Sequence, residues 1–273
     1  MNVGILGPFL LSVDDLSVFV ELAPKPRAVL ATLVALAGET IPVSTLVREV
    51  WGDDSPVSAL RNIQTYVLQS RKELARVTGL PPRVVASELL VTRPGGYMFN
   101  DAAAQLDYRR YKELSTTGQS VLRSGGTAEG ISLLSRSLGI WRGAAFVDVM
   151  TGPALGSLRH QLEESRLGTV EALSDVRIGT GRHDEAIFDL APAVSNNPLH
   201  EGLHYQYMRA LAVTGRRAKA LEVFNLLRLN LVSELGIEPG APIQQLQYQI
   251  LNSSDIGHMA AYSPSTGGMA PVV

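Results

Sequence analysis

The 273-residue chain has no cysteine. That excludes disulfides, cysteine nucleophiles and thiolate zinc sites, and it fits a reducing compartment. It has no apolar run of about 18 residues, so no transmembrane helix is expected. The opening MNVGILGPFLLSVDD has no basic segment before its apolar residues and runs into two aspartates. No secretory signal is therefore expected, and cytoplasmic localisation is. Neither G-x-x-x-x-G-K-[ST] nor G-x-S-x-G occurs, so there is no P-loop and no serine-hydrolase elbow. An excess of charge of either sign is missing as well, the formal net charge being −2.

What is present suffices for two modest domains: 45% apolar residues with 18% charged lets each bury a core. The near-neutral total hides an uneven distribution. Residues 1–100 hold nine Lys/Arg and nine Asp/Glu, yet between 61 and 93 six basic residues stand against only Glu73 and Glu88. A basic face backed by an acidic one can still dock on phosphate, with strong salt dependence.

The stretch SALRNIQTYVLQSRKELA, residues 58–75, explains where that charge goes. Wound as a helix at about 100° per residue, Leu60, Ile63, Val67 and Leu74 form one apolar stripe. Arg61, Thr65, Gln69, Lys72 and Arg76 lie opposite, with Asn62 at the edge and Arg71 nearer the core. Ser70 falls on the buried side, where its hydroxyl must bond back to the carbonyl four residues earlier or go unpaired. Beyond it, LLVTRPGGYMF (89–99) reads as two short strands around Pro94-Gly95-Gly96, with Arg93 at the tip. A basic helix followed by such a hairpin is what a winged helix-turn-helix needs to read DNA.

Ahead of these, residues 2–22 suggest a small antiparallel sheet with a turn at Asp14-Asp15. A first helix follows Pro24 and Pro26 and ends at Gly38. A second is capped by Ser44 and stops at Gly52. After a short linker at Asp101–Ala104, nearly everything from Leu106 on is helix-patterned. Gly181-Arg182-His183 recurs as Gly215-Arg216-Arg217, 34 residues later, the tetratricopeptide period. Six or seven helices are expected between Leu106 and Leu251. The Ser/Gly/Pro-rich residues 253–273 are expected to be a disordered tail. The predicted architecture is multidomain, α+β and all-α: a winged-helix domain over 1–100 and a helical repeat domain over 106–252.

These residues resemble the Streptomyces antibiotic regulatory proteins, which join an OmpR-type winged helix to a helical bacterial transcriptional activation domain. The resemblance rests on Lys25-Pro26-Arg27-Ala28, Trp51-Gly52, Gln64-Thr65-Tyr66-Val67 and Arg93-Pro94-Gly95-Gly96-Tyr97 in the first domain. In the second it rests on Trp141-Arg142-Gly143, Gly181-Arg182-His183, Gly215-Arg216 and Glu234-Leu235-Gly236-Ile237-Glu238-Pro239-Gly240. Where the family usually shows a basic residue and then leucine in the third helix, this chain has Gln69 and Ser70. The resemblance implies a transcriptional activator of a secondary-metabolite cluster that binds promoter direct repeats as a homodimer on double-stranded DNA and recruits RNA polymerase holoenzyme. It implies no phosphorelay, no cofactor and no enzymatic activity.

It also implies that the third helix enters the major groove, where Arg61, Asn62, Thr65, Gln69, Lys72 and Arg76 become the candidate readers. Arg93 is the candidate for the minor groove. Tyr97 either lies against the DNA backbone or packs the hairpin. Ser44 either caps its helix or helps its N-terminal amides hold a phosphate. Arg71 suits a rim phosphate or an internal ion pair, and Trp51 the core. Two alternatives are a repeat scaffold without a DNA role and a zinc hydrolase, since His200-Glu201-Gly202-Leu203-His204 fits H-E-x-x-H. Against zinc, His200 sits in the first turn of its helix, Gly202 weakens that helix, and Tyr207 replaces the glycine of the metzincin continuation.

Overall fold

A computed structural model describes residues 1–13 and 16–252. The turn expected at Asp14-Asp15 and the tail expected over 253–273 lie outside them. Strands β1 (Asn2–Gly4), β2 (Leu10–Val13) and β3 (Leu16–Phe19) make an antiparallel meander in which Val3 sits opposite Leu11, both buried. Then come α1 (Pro24–Ala35), β4 (Ile41–Pro42), α2 (Val43–Trp51) and α3 (Ala59–Thr78). One turn, α4 (Pro82–Val84), runs through a π-helical turn at Val85–Leu89 into the hairpin β5 (Leu90–Arg93) and β6 (Gly96–Phe99).

Helix α1 is buried from Ala28 to Ala35 because Ala, Val and Leu occupy every side of it. Helices α2 and α3 pack around it, and Phe99 and Leu90 close the core from the hairpin. Strand β4 joins the hairpin in the antiparallel order β4-β6-β5. A Cβ on Gly96 would collide with the carbonyl oxygen of Ile41, so only glycine lets the two strands approach there. This strand also corrects the expected cap of α2. Pro42 leads directly from β4 into the helix, no side chain caps it, and Ser44 lies inside the first turn, exposed.

The expected linker is an ordered crossing. A 3₁₀ turn at Asp101–Ala103 leads into β7 (Gln105–Leu106), which pairs parallel to β1, Gln105 N–H donating to the Met1 carbonyl at 2.9 Å. The N-terminal sheet, order β3-β2-β1-β7, thus gains one parallel edge.

Seven helices follow among the described residues: α5 (Asp107–Arg123), α6 (Thr127–Leu138), α7 (Pro153–Gly179), α8 (His183–Asn196), α9 (Glu201–Val213), α10 (Arg217–Leu235) and α11 (Ala241–Asn252). By compactness the chain forms two units, one of residues 1–124 and 132–166, the other of 125–131 and the chain from 167 on. The first unit thus holds the winged helix together with α5, most of α6 and the start of α7. Three carboxylates, Glu49 buried, Asp107 half-buried and Asp148 exposed, knit it by accepting backbone N–H groups far away in sequence. Asp107 accepts from Ile5 and Leu6, Asp148 from Phe9, and Glu49 of α2 from Gly152, Ala154 and Leu155 at the N-terminus of α7. Burial pushes the Asp107 carboxyl above the usual range, against the opposing effect of those amides and of Arg142.

In the second unit the 34-residue period is written in hydrogen bonds. Gly181 and Gly215 both take positive φ, 79° and 78°. Arg182 N–H donates to the Arg177 carbonyl and Arg216 N–H to the Leu211 carbonyl, each at 2.8 Å, while Thr180 and Thr214 hydroxyls donate four residues back. The turns place Ala186 and Ala220 at the helix crossings, and Leu190, Leu203, Leu211, Phe224, Leu227 and Leu246 fill the core.

Candidate nucleic-acid interface

Helix α3 turns Ala59, Ile63, Val67, Ser70, Glu73 and Leu74 inward and ends at Gly79 in the left-handed region. Ser70 donates to the Tyr66 carbonyl at 2.8 Å, which satisfies its hydroxyl on the buried side. The outward face carries Arg61, Gln64, Thr65, Leu68, Gln69, Lys72 and Arg76. One expectation fails at the first turn. The helical wheel puts Leu60 on the buried stripe, yet it is 63% exposed, because among the described residues nothing covers the start of α3 beyond the exposed turn at Asp53–Ser58.

Among the described residues, the side chains of Arg61, Gln64, Gln69, Lys72 and Arg93 make no hydrogen bond or ion pair. Thr65 donates its hydroxyl to the Arg61 carbonyl at 3.1 Å, leaving its oxygen free to accept. Asn62, half-buried, donates to the Ser58 hydroxyl at 3.2 Å. Arg76 is exposed but committed: its guanidinium grips Glu73 through two hydrogen bonds of 2.9 and 2.8 Å. That hydrogen-bonded pairing holds the Glu73 carboxyl below the usual carboxylate range, and Glu73 also accepts the Glu21 N–H at 2.7 Å.

Arg71 makes no ion pair among the described residues. Its Nε donates to the Leu90 carbonyl at 2.9 Å and its Nη2 to the Thr92 hydroxyl at 2.8 Å, while the guanidinium sits 5.9 Å from the centre of the Tyr97 ring. It therefore pins the hairpin to α3. Tyr97, 9% exposed and paired with Ile41, lies beneath this clamp in a packing position. Arg93 stands exposed at the hairpin tip, whose turn is held by Gly95 at φ 78° and by Val43 N–H donating to the Gly95 carbonyl. Trp51 is half-buried rather than core. It stacks on Tyr66 with ring centroids 6.0 Å apart, with the Lys25 ammonium 5.0 Å from its own centroid. Gln64 and Leu68, which the sequence reading does not name, are exposed on the same face of α3.

Residues 106–251 match the family described as the bacterial transcriptional activator domain, and residues 17–99 match the C-terminal domain of transcriptional regulatory proteins. The regulatory protein DnrI of Streptomyces peucetius is 37% identical over 93% of each chain. The chain belongs to the Streptomyces antibiotic regulatory protein family of transcriptional activators. The transcriptional regulator RedD of Streptomyces coelicolor is 31% identical over 92% of this chain and 70% of its own. The regulatory protein AfsR of Streptomyces griseus is 31% identical over 85% of this chain but only 23% of its own length. The structure of Mycobacterium tuberculosis EmbR, solved with a low-affinity phosphopeptide, aligns at a TM-score of 0.78 and 28% identity over 94% of this chain and 66% of EmbR.

Several residues that mark the family in this sequence are structural in the folded chain. The Trp141 ring meets Tyr111 edge-on at 5.4 Å, Arg142 joins Asp107 at 3.1 Å, and Glu238 pairs with Arg228. The H-E-x-x-H residues are likewise engaged inside the repeats. His200 caps α9 by accepting the Leu203 N–H, Glu201 accepts the Gly240 N–H at 2.6 Å, and the buried His204 ring bonds the His200 carbonyl at 3.0 Å. Burial lowers the His204 pKa.

Proposed function

We propose that this activator binds double-stranded DNA with α3 in the major groove and the hairpin tip, through Arg93, in the adjacent minor groove. Two protomers sit side by side on promoter direct repeats and recruit RNA polymerase holoenzyme to a secondary-metabolite cluster. The observation that carries the reading is the set of exposed cationic and amide side chains on α3 and at the hairpin tip, Arg61, Gln69, Lys72 and Arg93, with no partner among the described residues.

Long cations held without counter-ions on a surface are suited to phosphate, where each neutralised phosphate releases condensed counterions. Gln69 and Gln64 offer a donor and an acceptor on one amide, the geometry that pairs with adenine N6 and N7. Arg71 contributes indirectly by fixing the hairpin to the helix, so that helix and tip address neighbouring grooves as one body. Ser44, exposed in the first turn of α2, stands where helix N-terminal amides can receive a phosphate. No helix of the described residues is long and apolar enough to cross a membrane, in keeping with action on the chromosome.

Footprinting of the purified chain on regions upstream of the genes adjacent to its own tests this reading. Protection of paired, equally oriented sites is expected, weakening steeply as salt rises. Failure to retain any duplex at low ionic strength overturns it.

A further inference from the structure

The exposed arc of α3 runs from Leu60 to Gln69 around roughly 180° of the helix, and its midline falls within about 10° of Leu68. Leu68 is 53% exposed. It is flanked by Gln64 and Thr65 one turn before it and by Lys72 one turn after, with Arg61 two turns before on the same line. Scattered exposed leucines are ordinary on protein surfaces. This one occupies the centre of the face that every polar neighbour frames, whereas Leu60 lies at its margin. Resting on the DNA-binding reading above, we propose that Leu68 is a base-reading residue that selects thymine by packing on its C5 methyl group in the major groove.

The chemistry leaves one apolar target. Of the four bases in the major groove, only thymine presents a methyl group beside its hydrogen-bonding atoms. A leucine pressed on a guanine or cytosine edge would cover N7, O6 or N4 without giving them a partner, which is unfavourable. On thymine it removes a methyl and its own exposed carbons from water. Gln64 on the preceding turn, with both amide atoms free, suits an adenine close by, so the midline of α3 is built for A·T pairs. The cations flanking it hold phosphates.

The test uses the full chain and duplexes enriched by it from a random-sequence pool. Each thymine of the tightest duplex is replaced in turn by deoxyuridine, which deletes the C5 methyl and leaves every hydrogen-bonding atom in place. Wild type is expected to lose about three- to five-fold in affinity at one thymine per half-site. In Leu68→Ala the same replacement should cost nothing, and Leu68→Met should retain the dependence. Thermal midpoints of both variants verify folding, which a half-exposed side chain leaves intact. Three results overturn the proposal: no methyl-dependent thymine in wild type, equal dependence in Leu68→Ala, or a Leu68→Ala defect confined to self-association. If no duplex is enriched at all, the DNA-binding reading itself fails. Tight duplex binding without methyl dependence removes only the role of Leu68.

Discussion

The basic side chains of the repeat helices and those of α3 and its hairpin are put to opposite uses. Between residues 167 and 252 every lysine and arginine has a partner. Arg177 holds Asp189, Arg182 holds Glu185, Arg209 holds Asp175, Arg216 holds Asp184, Lys219 holds Glu222 and Arg228 holds Glu238, while Arg217 donates to the Ile250 carbonyl. Between 61 and 93, Arg61, Lys72, Arg83 and Arg93 have none among the described residues. Composition gives both regions cations, but only one leaves them available to a polyanion. The near-neutral net charge therefore says little about DNA binding, and the internal pairing of charge says much.

The largest effect should come from breaking a pair in the repeats. Asp175→Ala strands the Arg209 guanidinium, whose residue is 5% exposed, and should cost about 2–4 kcal/mol in denaturant unfolding. Asp175→Leu combined with Arg209→Met should recover most of it, because an apolar pair of similar volume carries no buried charge. Neither change should alter the salt slope of DNA binding in the molecules that remain folded. A slope that moves with the repeat pair would erase the distinction between the two regions.

Next comes the free set. Replacing Arg61, Lys72 and Arg93 together by alanine should lower the slope of log affinity against log salt by close to three units, at about 0.9 per phosphate. The unfolding midpoint should stay within about 0.5 kcal/mol of wild type in stability, as expected of exposed, unpartnered side chains. A slope unchanged by the triple substitution would mean that DNA, if bound, lies elsewhere.

Much of this arrangement was legible in the sequence, for identifiable reasons. The periodicity of residues 58–75 located α3 and most of its outward face, and the 34-residue spacing located the repeat turns, because both depend on local geometry. What failed depended on distant chain. The helical wheel put Leu60 inside because it carries no information on what covers a first turn. The partners of Arg71 are the Leu90 carbonyl and the Thr92 hydroxyl on β5, 19 and 21 residues on, and neither carries a charge that would mark it as a partner. Ser44 looked like a cap until β4 took up the residues before it. Glu49, Asp107 and Asp148 bind backbone amides 101 to 139 residues away, contacts that no local pattern records. The partner of Arg76, by contrast, stood three residues away in plain view.

Protonation probes the paired region more gently. Burial holds His204 below the ordinary histidine value of about 6.5, so as pH falls the unfolded chain takes up a proton there that the folded chain refuses. Stability present above about pH 6.5 should therefore decline from that pH downward and level off below the folded-state value. His204→Gln should flatten this part of the acid limb, measured as the thermal midpoint between about pH 7 and pH 5. An unaltered limb would show that His204 accepts its proton without penalty.

The smallest expected effect is the sharpest test, since it falls within α3 itself. Arg76 and Lys72 lie one turn apart on the same face, both exposed, and composition does not distinguish them. Arg76 is gripped by Glu73, and Lys72 has no partner. Lys72→Ala should thus reduce the salt slope by about one unit, while Arg76→Ala should leave it nearly unchanged. If the two alanine variants behave alike, an internal carboxylate does not withdraw a cation from DNA. The comparison of paired with free charge would then lose its meaning even within a single helix.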